Sequence, residues 1–125
     1  MKIRIKGNSI RIRLSKSEVD TFGHEGYLEE KTEFAGGRSL VYALSKYHTH
    51  VSISADLTHD KITMLVPASR AEEWVTTDLV GLSDNMDVGE GKTLFLLLEK
   101  DFKCIDNEVT EDQSDNFDNP LHTCA

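Results

Sequence analysis

Long apolar runs are missing from this sequence. The longest, Leu94-Phe95-Leu96-Leu97-Leu98, has the length of a strand and falls far short of the about 20 residues that cross a membrane. The N-terminus, MKIRIKGNSIRIRL, alternates isoleucine with cations and so lacks the continuous apolar core of a secretory signal. Cysteine is scarce, with two in 125 residues, too few for a disulfide scaffold in a chain this size. A cytoplasmic protein with no membrane partner is expected. Catalytic signatures are missing as well: there is no G-x-x-x-x-G-K-[ST], G-x-G-x-x-G, G-x-S-x-G, H-E-x-x-H or C-x-x-C. Gly89-Glu90-Gly91-Lys92-Thr93 has the letters that end a phosphate loop, but Thr93 leads into LFLLLEK, a strand where that loop needs a helix. Turn glycines are the better reading.

What is present fits one globular core. The length suits a single domain, and 38% apolar with 29% charged residues is ordinary for one. Charge is unevenly placed. Lys2, Arg4, Lys6, Arg11, Arg13 and Lys16 precede the first acid, and all 22 acidic residues follow, for a net charge of −8. An acidic body argues against nucleic-acid binding, whose affinity comes from neutralising many phosphates.

Lys2 to Leu14 reads as two half-buried strands around Gly7-Asn8, with isoleucines on one face and cations on the other. Ser15 and Glu18 have capping-box spacing and open a short helix through Val19 and Phe22, ended near Gly23 or Gly26. Tyr27 to Phe34 suits an exposed strand, and Leu40, Tyr42 and Leu44 the inner face of the next. Val51, Ile53, Ala55 and Leu57 alternate with Ser52, Ser54 and Asp56, which predicts the former facing the core. A hairpin leads to Ile62-Thr63-Met64-Leu65-Val66, stopped by Pro67. Ser69 and Glu72 repeat the capping-box spacing and predict a helix from Arg70 to about Thr76. Gly81, Gly89 and Gly91 bracket a loop before a central strand, Lys92 to Lys100, apolar on both faces.

The expected order is β-β-α-β-β-β-β-α-β-β, with no visible internal repeat. The fold class is α+β: a mainly antiparallel, strongly twisted sheet or partly closed barrel with two short helices. Residues 1–105 form the expected domain and residues 106–125 an acidic C-terminal tail, its carboxylates suited to a solvated segment.

The blocks RIKGNSIRIRLSKSEVD, EEKTEF, VPASRAEEWV, the Val80-Gly81 pair and the ending LLLEKDFKC with EDQSDNFDNP together resemble a family of small bacterial proteins of unknown function. The resemblance spans nearly the whole chain. It implies a free-standing bacterial domain of this length. It brings no activity, substrate or catalytic residue, so no site carries over.

Two constellations carry candidate chemistry. Lys2, Arg4, Lys6, Arg11 and Arg13 cluster across paired strands, and such a ribbon can hold a phosphate or carboxylate. Internal pairing with Glu29 to Glu33 and the acidic tail competes with that use and is favoured, since like charges opposite each other repel. His48 and His50 share one strand face and could reach one metal ion, with Cys104, His122 and Cys124 as further ligands. Two exposed histidines at a strand end are the plainer reading. For the cysteines three readings stay open: a buried Cys104 thiol with a solvated tail, a metal site, and a Cys104–Cys124 disulfide, with the first favoured by ligand count and compartment. Among aromatics, Trp74 is expected to be buried against the sheet rather than to stack on a ligand. Glu29-Glu30 and Glu72-Glu73 are neighbours that diverge, so neither is an acid/base couple.

The sequence therefore points to a non-catalytic binding or interaction module, with a homodimer as one possible assembly and no cofactor expected. The alternative is a small-anion-binding or metal-dependent enzyme that holds a phosphate on the basic ribbon and a divalent ion on histidines or tail carboxylates.

Overall fold

A computed structural model describes residues 1–48, 51–102, 115 and 117. Its elements are β1 (Lys2–Ile5), β2 (Ser9–Leu14), α1 (Lys16–Glu25), β3 (Tyr27–Glu33), β4 (Ser39–Tyr47), β5 (Ser54–Thr58), β6 (Lys61–Pro67), α2 (Ala68–Thr76), β7 (Gly81–Gly89) and β8 (Lys92–Lys100). A short 3-10 turn, Ala35–Gly37, links β3 to β4. The elements follow the expected reading through α2, but the stretch between Gly81 and Gly89 is strand β7 rather than loop, so β7 and β8 are the two strands that end the order. Gly81 pairs with Glu99 at the start of that strand, and a side chain has no room there, since a Cβ would lie 2.8 Å from the Leu98 carbonyl oxygen across the pair.

The strands form two four-stranded sheets, β1-β2-β8-β7 and β3-β4-β6-β5. Each sheet is mixed, not mainly antiparallel, and neither closes into a barrel. The hairpins β1–β2, β3–β4, β5–β6 and β7–β8 are antiparallel, whereas the central pairs β2–β8 and β4–β6 are parallel. Short links correctly signal hairpins. They say nothing of central pairs made by strands that no short link joins.

The connectivity also repeats. A unit of hairpin, helix and hairpin (β1-β2-α1-β3-β4) is followed by the same unit again (β5-β6-α2-β7-β8), and each unit contributes one hairpin to each sheet. Buried residues match between the units: Ile12 with Met64, Leu14 with Val66, Phe22 with Trp74, Leu44 with Leu98. Phe22 and Trp74 meet edge to face between the helices, with ring centroids 6.5 Å apart. These residues, with Ile10, Val19, Ile53, Ala71, Leu82 and Leu96, form a hydrophobic cluster that draws on both sheets and both helices. Most of the equivalences involve unlike side chains, so no period is visible in the sequence.

The helices begin differently. At α1 the Glu18 carboxylate accepts from the Ser15 backbone N–H at 2.9 Å, as the spacing predicts. Asp115 adds to this end: its backbone carbonyl accepts from the Lys16 N–H at 2.9 Å and its side chain from the Ser17 N–H and hydroxyl. Phe117 packs on Phe102, ring centroids 5.7 Å apart. At these two positions the segment touches the body, with Asp115 still exposed and Phe117 half-buried. Helix α2 starts earlier than the Ser69 capping box predicts, with Pro67 as N-cap and no side-chain cap. Strand β6 runs straight into it.

Candidate functional site

The first sheet buries one face and exposes the other. On β2, Ile10, Ile12 and Leu14 are buried, while Ser9, Arg11 and Arg13 point outward. Antiparallel pairing puts Arg4 opposite Arg11 and Lys2 opposite Arg13. Parallel pairing puts Phe95, Leu97 and Glu99 of β8 beside Ser9, Arg11 and Arg13. On the far side Asn85 and Ser83 of β7 face Phe95 and Leu97. The outer face thus has cations on β1–β2, Phe95 and Leu97 followed by Glu99 on β8, and Ser83 and Asn85 followed by Asp87 on β7.

Electrostatics divides the cations. Arg13 Nε lies 2.9 Å from Glu99 Oε1, and Arg11 Nε 3.4 Å from the same oxygen. Lys2 Nζ lies 3.0 Å from Asp101 Oδ2. These three thus pair internally, with Glu99 and Asp101; among the described residues none of them pairs with Glu29, Glu30 or Glu33, and most of the acidic tail lies outside the described residues. Arg4 and Lys6 have no ion pair among the described residues and are exposed. Both line a cleft of about 190 Å³ with Ser9, Ile10, Arg11, Phe95 and Leu97. A neighbouring hollow of about 230 Å³ is lined by Lys2, Ile3, Arg4, Arg11 and Arg13. Among the described residues no carboxylate lines either one.

The turn that carries Lys6 is held firmly. Gly7 takes a left-handed φ of 54°, open to glycine at no steric cost. The Ser9 hydroxyl donates to the Lys6 carbonyl at 2.7 Å, and the Lys6 N–H to the Ser9 carbonyl at 3.2 Å. Asn8 ties the turn to β8, donating from Nδ2 to the Thr93 carbonyl at 2.6 Å and accepting from the Phe95 N–H at 3.0 Å.

Phe95 and Leu97 were not singled out by sequence reasoning. The signal was present in the unbroken apolar run from Leu94 to Leu98. A strand apolar on both faces is buried on both faces only if something covers the second, and here Phe95 is 39% exposed.

The other candidates separate. His48 is exposed at the end of β4, and His50, Cys104, His122 and Cys124 lie outside the described residues. Among the described residues no three His, Cys, Asp or Glu groups converge to hold a metal. Trp74 is fully buried, its indole N–H donating to the Val80 carbonyl at 3.1 Å. The parity that begins at Leu94 continues inward through Lys100; the Cys104 position beyond it is not described.

Lys100 borders a cleft of about 510 Å³ with Lys16, Asp78 and Phe117. Burial lowers its pKa, opposed by Asp78. Its ammonium donates to the Thr77 carbonyl at the end of α2 and lies 5.8 Å from the Trp74 ring centroid. Lys46, its counterpart in the first unit, donates to the Gly23 carbonyl near the end of α1 and lies 5.9 Å from the Phe22 ring centroid. Two lysines in equivalent positions, each on the last carbonyls of a helix, have a structural role.

Comparison with known proteins finds one family model, described as a family of unknown function (DUF7009), matching residues 1–121. No curated protein and no solved structure matches the chain.

Proposed function

The chain belongs to that family of unknown function, and from the geometry alone we propose that it is a non-catalytic binding module whose ligands are small anions held on the outer face of the first sheet. The observation that carries this is the position of Arg4 and Lys6. Both lack a carboxylate partner among the described residues and, with Arg11, line one cleft whose described lining holds no acid. Arginine's planar fork suits a phosphate or carboxylate in two-point contact, and lysine adds a point charge. The lining supplies donors and apolar surface. Its single hydroxyl, on Ser9, is already donated to a carbonyl, so the cleft is equipped to hold an anion rather than to transform it. The metal-dependent alternative would draw on His48 and on residues outside the described set, and no observation favours it.

Thermal melting with inorganic phosphate or pyrophosphate at low ionic strength tests the proposal. Selective binding to the native state raises the melting temperature. Arg4→Gln and Lys6→Gln are each expected to weaken binding by about ten- to a hundredfold, the usual worth of one charge-assisted hydrogen bond. No shift with the unaltered protein, or shifts indifferent to both substitutions, would overturn it.

A further inference from the structure

We infer that the anion held on this face is the phosphate end of a nucleoside mono- or diphosphate, whose planar ring lies on Phe95 and Leu97. The inference rests on the anion-binding reading and adds a second subsite to it.

The register lays out the ligand. One row across the sheet runs Ser9, Phe95, Asn85, and the next runs Arg4, Arg11, Leu97, Ser83. Neighbouring strands are about 4.8 Å apart, so a molecule lying across them meets three environments in turn: cations on β1–β2, an apolar floor on β8, and an amide and a hydroxyl on β7. A nucleotide has the same order of parts, with phosphate, a flat ring, and ring-edge donors and acceptors. Asn85 offers both a donor and an acceptor to such an edge, and its side chain is exposed.

Phe95 argues for the ring. It stands on a central strand of the sheet, 39% exposed, and lines the same cleft as Arg4, Lys6 and Arg11. An inorganic anion would use the cations and leave this aromatic side chain in water, whereas a base stacks on it. Charge argues against a polynucleotide. Arg11 and Arg13 already share Glu99, Asp87 lies exposed on β7, and the chain carries −8 overall. A long polyanion would meet that field, and a mononucleotide fits within the basic patch.

Isothermal titration of the full chain at low salt with pyrophosphate, adenosine diphosphate and a thymidine decanucleotide tests this. Adenosine diphosphate is expected to bind about tenfold or more tighter than pyrophosphate, the increment of one base–aromatic stack. Phe95→Ala should bring adenosine diphosphate to the pyrophosphate level and leave pyrophosphate unchanged, while Arg4→Gln should weaken both. Equal affinity for the two ligands, or a Phe95→Ala loss shared by pyrophosphate, would remove the ring subsite and leave anion binding standing. Failure of both ligands to bind would remove the anion-binding reading too. A decanucleotide that binds tighter than adenosine diphosphate would overturn the inference in favour of single-stranded nucleic acid.

Discussion

Glu18 receives three donors: the Met1 ammonium, the Ser15 backbone N–H and the Ser15 hydroxyl. Burial alone would raise its pKa, but the ammonium and Ser15 outweigh that and leave the native value below the ordinary 4.5. The unfolded chain therefore takes up the proton first. The stabilisation is fully present above about pH 4.5 and is lost as pH falls through the lower native value. Glu18→Gln is expected to cost about 1–2 kcal/mol near neutrality, a gap that closes in acid. Chemical denaturation of both proteins from pH 7 to pH 3 checks it, and a gap that stays constant would contradict the assignment. The Ser15–Glu18 half of this cluster is legible in the sequence because it depends on a three-residue spacing. The Met1 contact is not, because the chain end arrives there through the sheet.

Strand β5 shows what alternation can report about an element and what it cannot. The pattern from Val51 to Leu57 predicts one inward parity, and Ile53 at 1% exposure obeys it. Val51 is 87% and Leu57 73% exposed, contrary to the expected core positions. Val51 precedes the strand, which starts at Ser54, and Leu57 lies near the hairpin end of an edge strand paired only with β6. Alternation gives parity along a strand, whereas burial also needs a second layer over each position. Ile53→Ala is expected to cost ~2–5 kcal/mol, and Val51→Ala and Leu57→Ala within about half a kcal/mol. Urea unfolding of the three variants measures this. Comparable losses at all three sites would mean that the outer residues are covered.

Across the whole molecule, the two hairpin–helix–hairpin units are interlocked through their central pairs. Strand β2, near the start of the chain, pairs in parallel with β8, near residue 100, from Ser9↔Phe95 to Leu14↔Lys100. Neither strand can leave without opening the first sheet at its middle. Native-state hydrogen exchange should therefore show the β2 and β8 amides exchanging only by global unfolding, with one common free energy, and the edge strands β1 and β5 opening locally at lower cost. A β2 that exchanged more easily than β8 would contradict that coupling.

The amino-acid sequence alone determined the order of elements through the second helix, the last strand, the parity of most strands, the start of the first helix and the gathering of cations on one face of the first ribbon. Each depends on residues within a turn or two of one another. Tertiary structure decided the rest: which strands lie at the sheet centres, that both central pairs are parallel, and that Glu99 and Asp101 engage Lys2, Arg11 and Arg13 while Arg4 and Lys6 go without an ion pair among the described residues. It also left Phe95 on the uncovered side of a strand whose apolar run reads as buried on both faces. The reason is physical. Those outcomes join residues far apart in the chain, and they follow from burying the inner faces of two sheets and two helices together, a constraint no local spacing records.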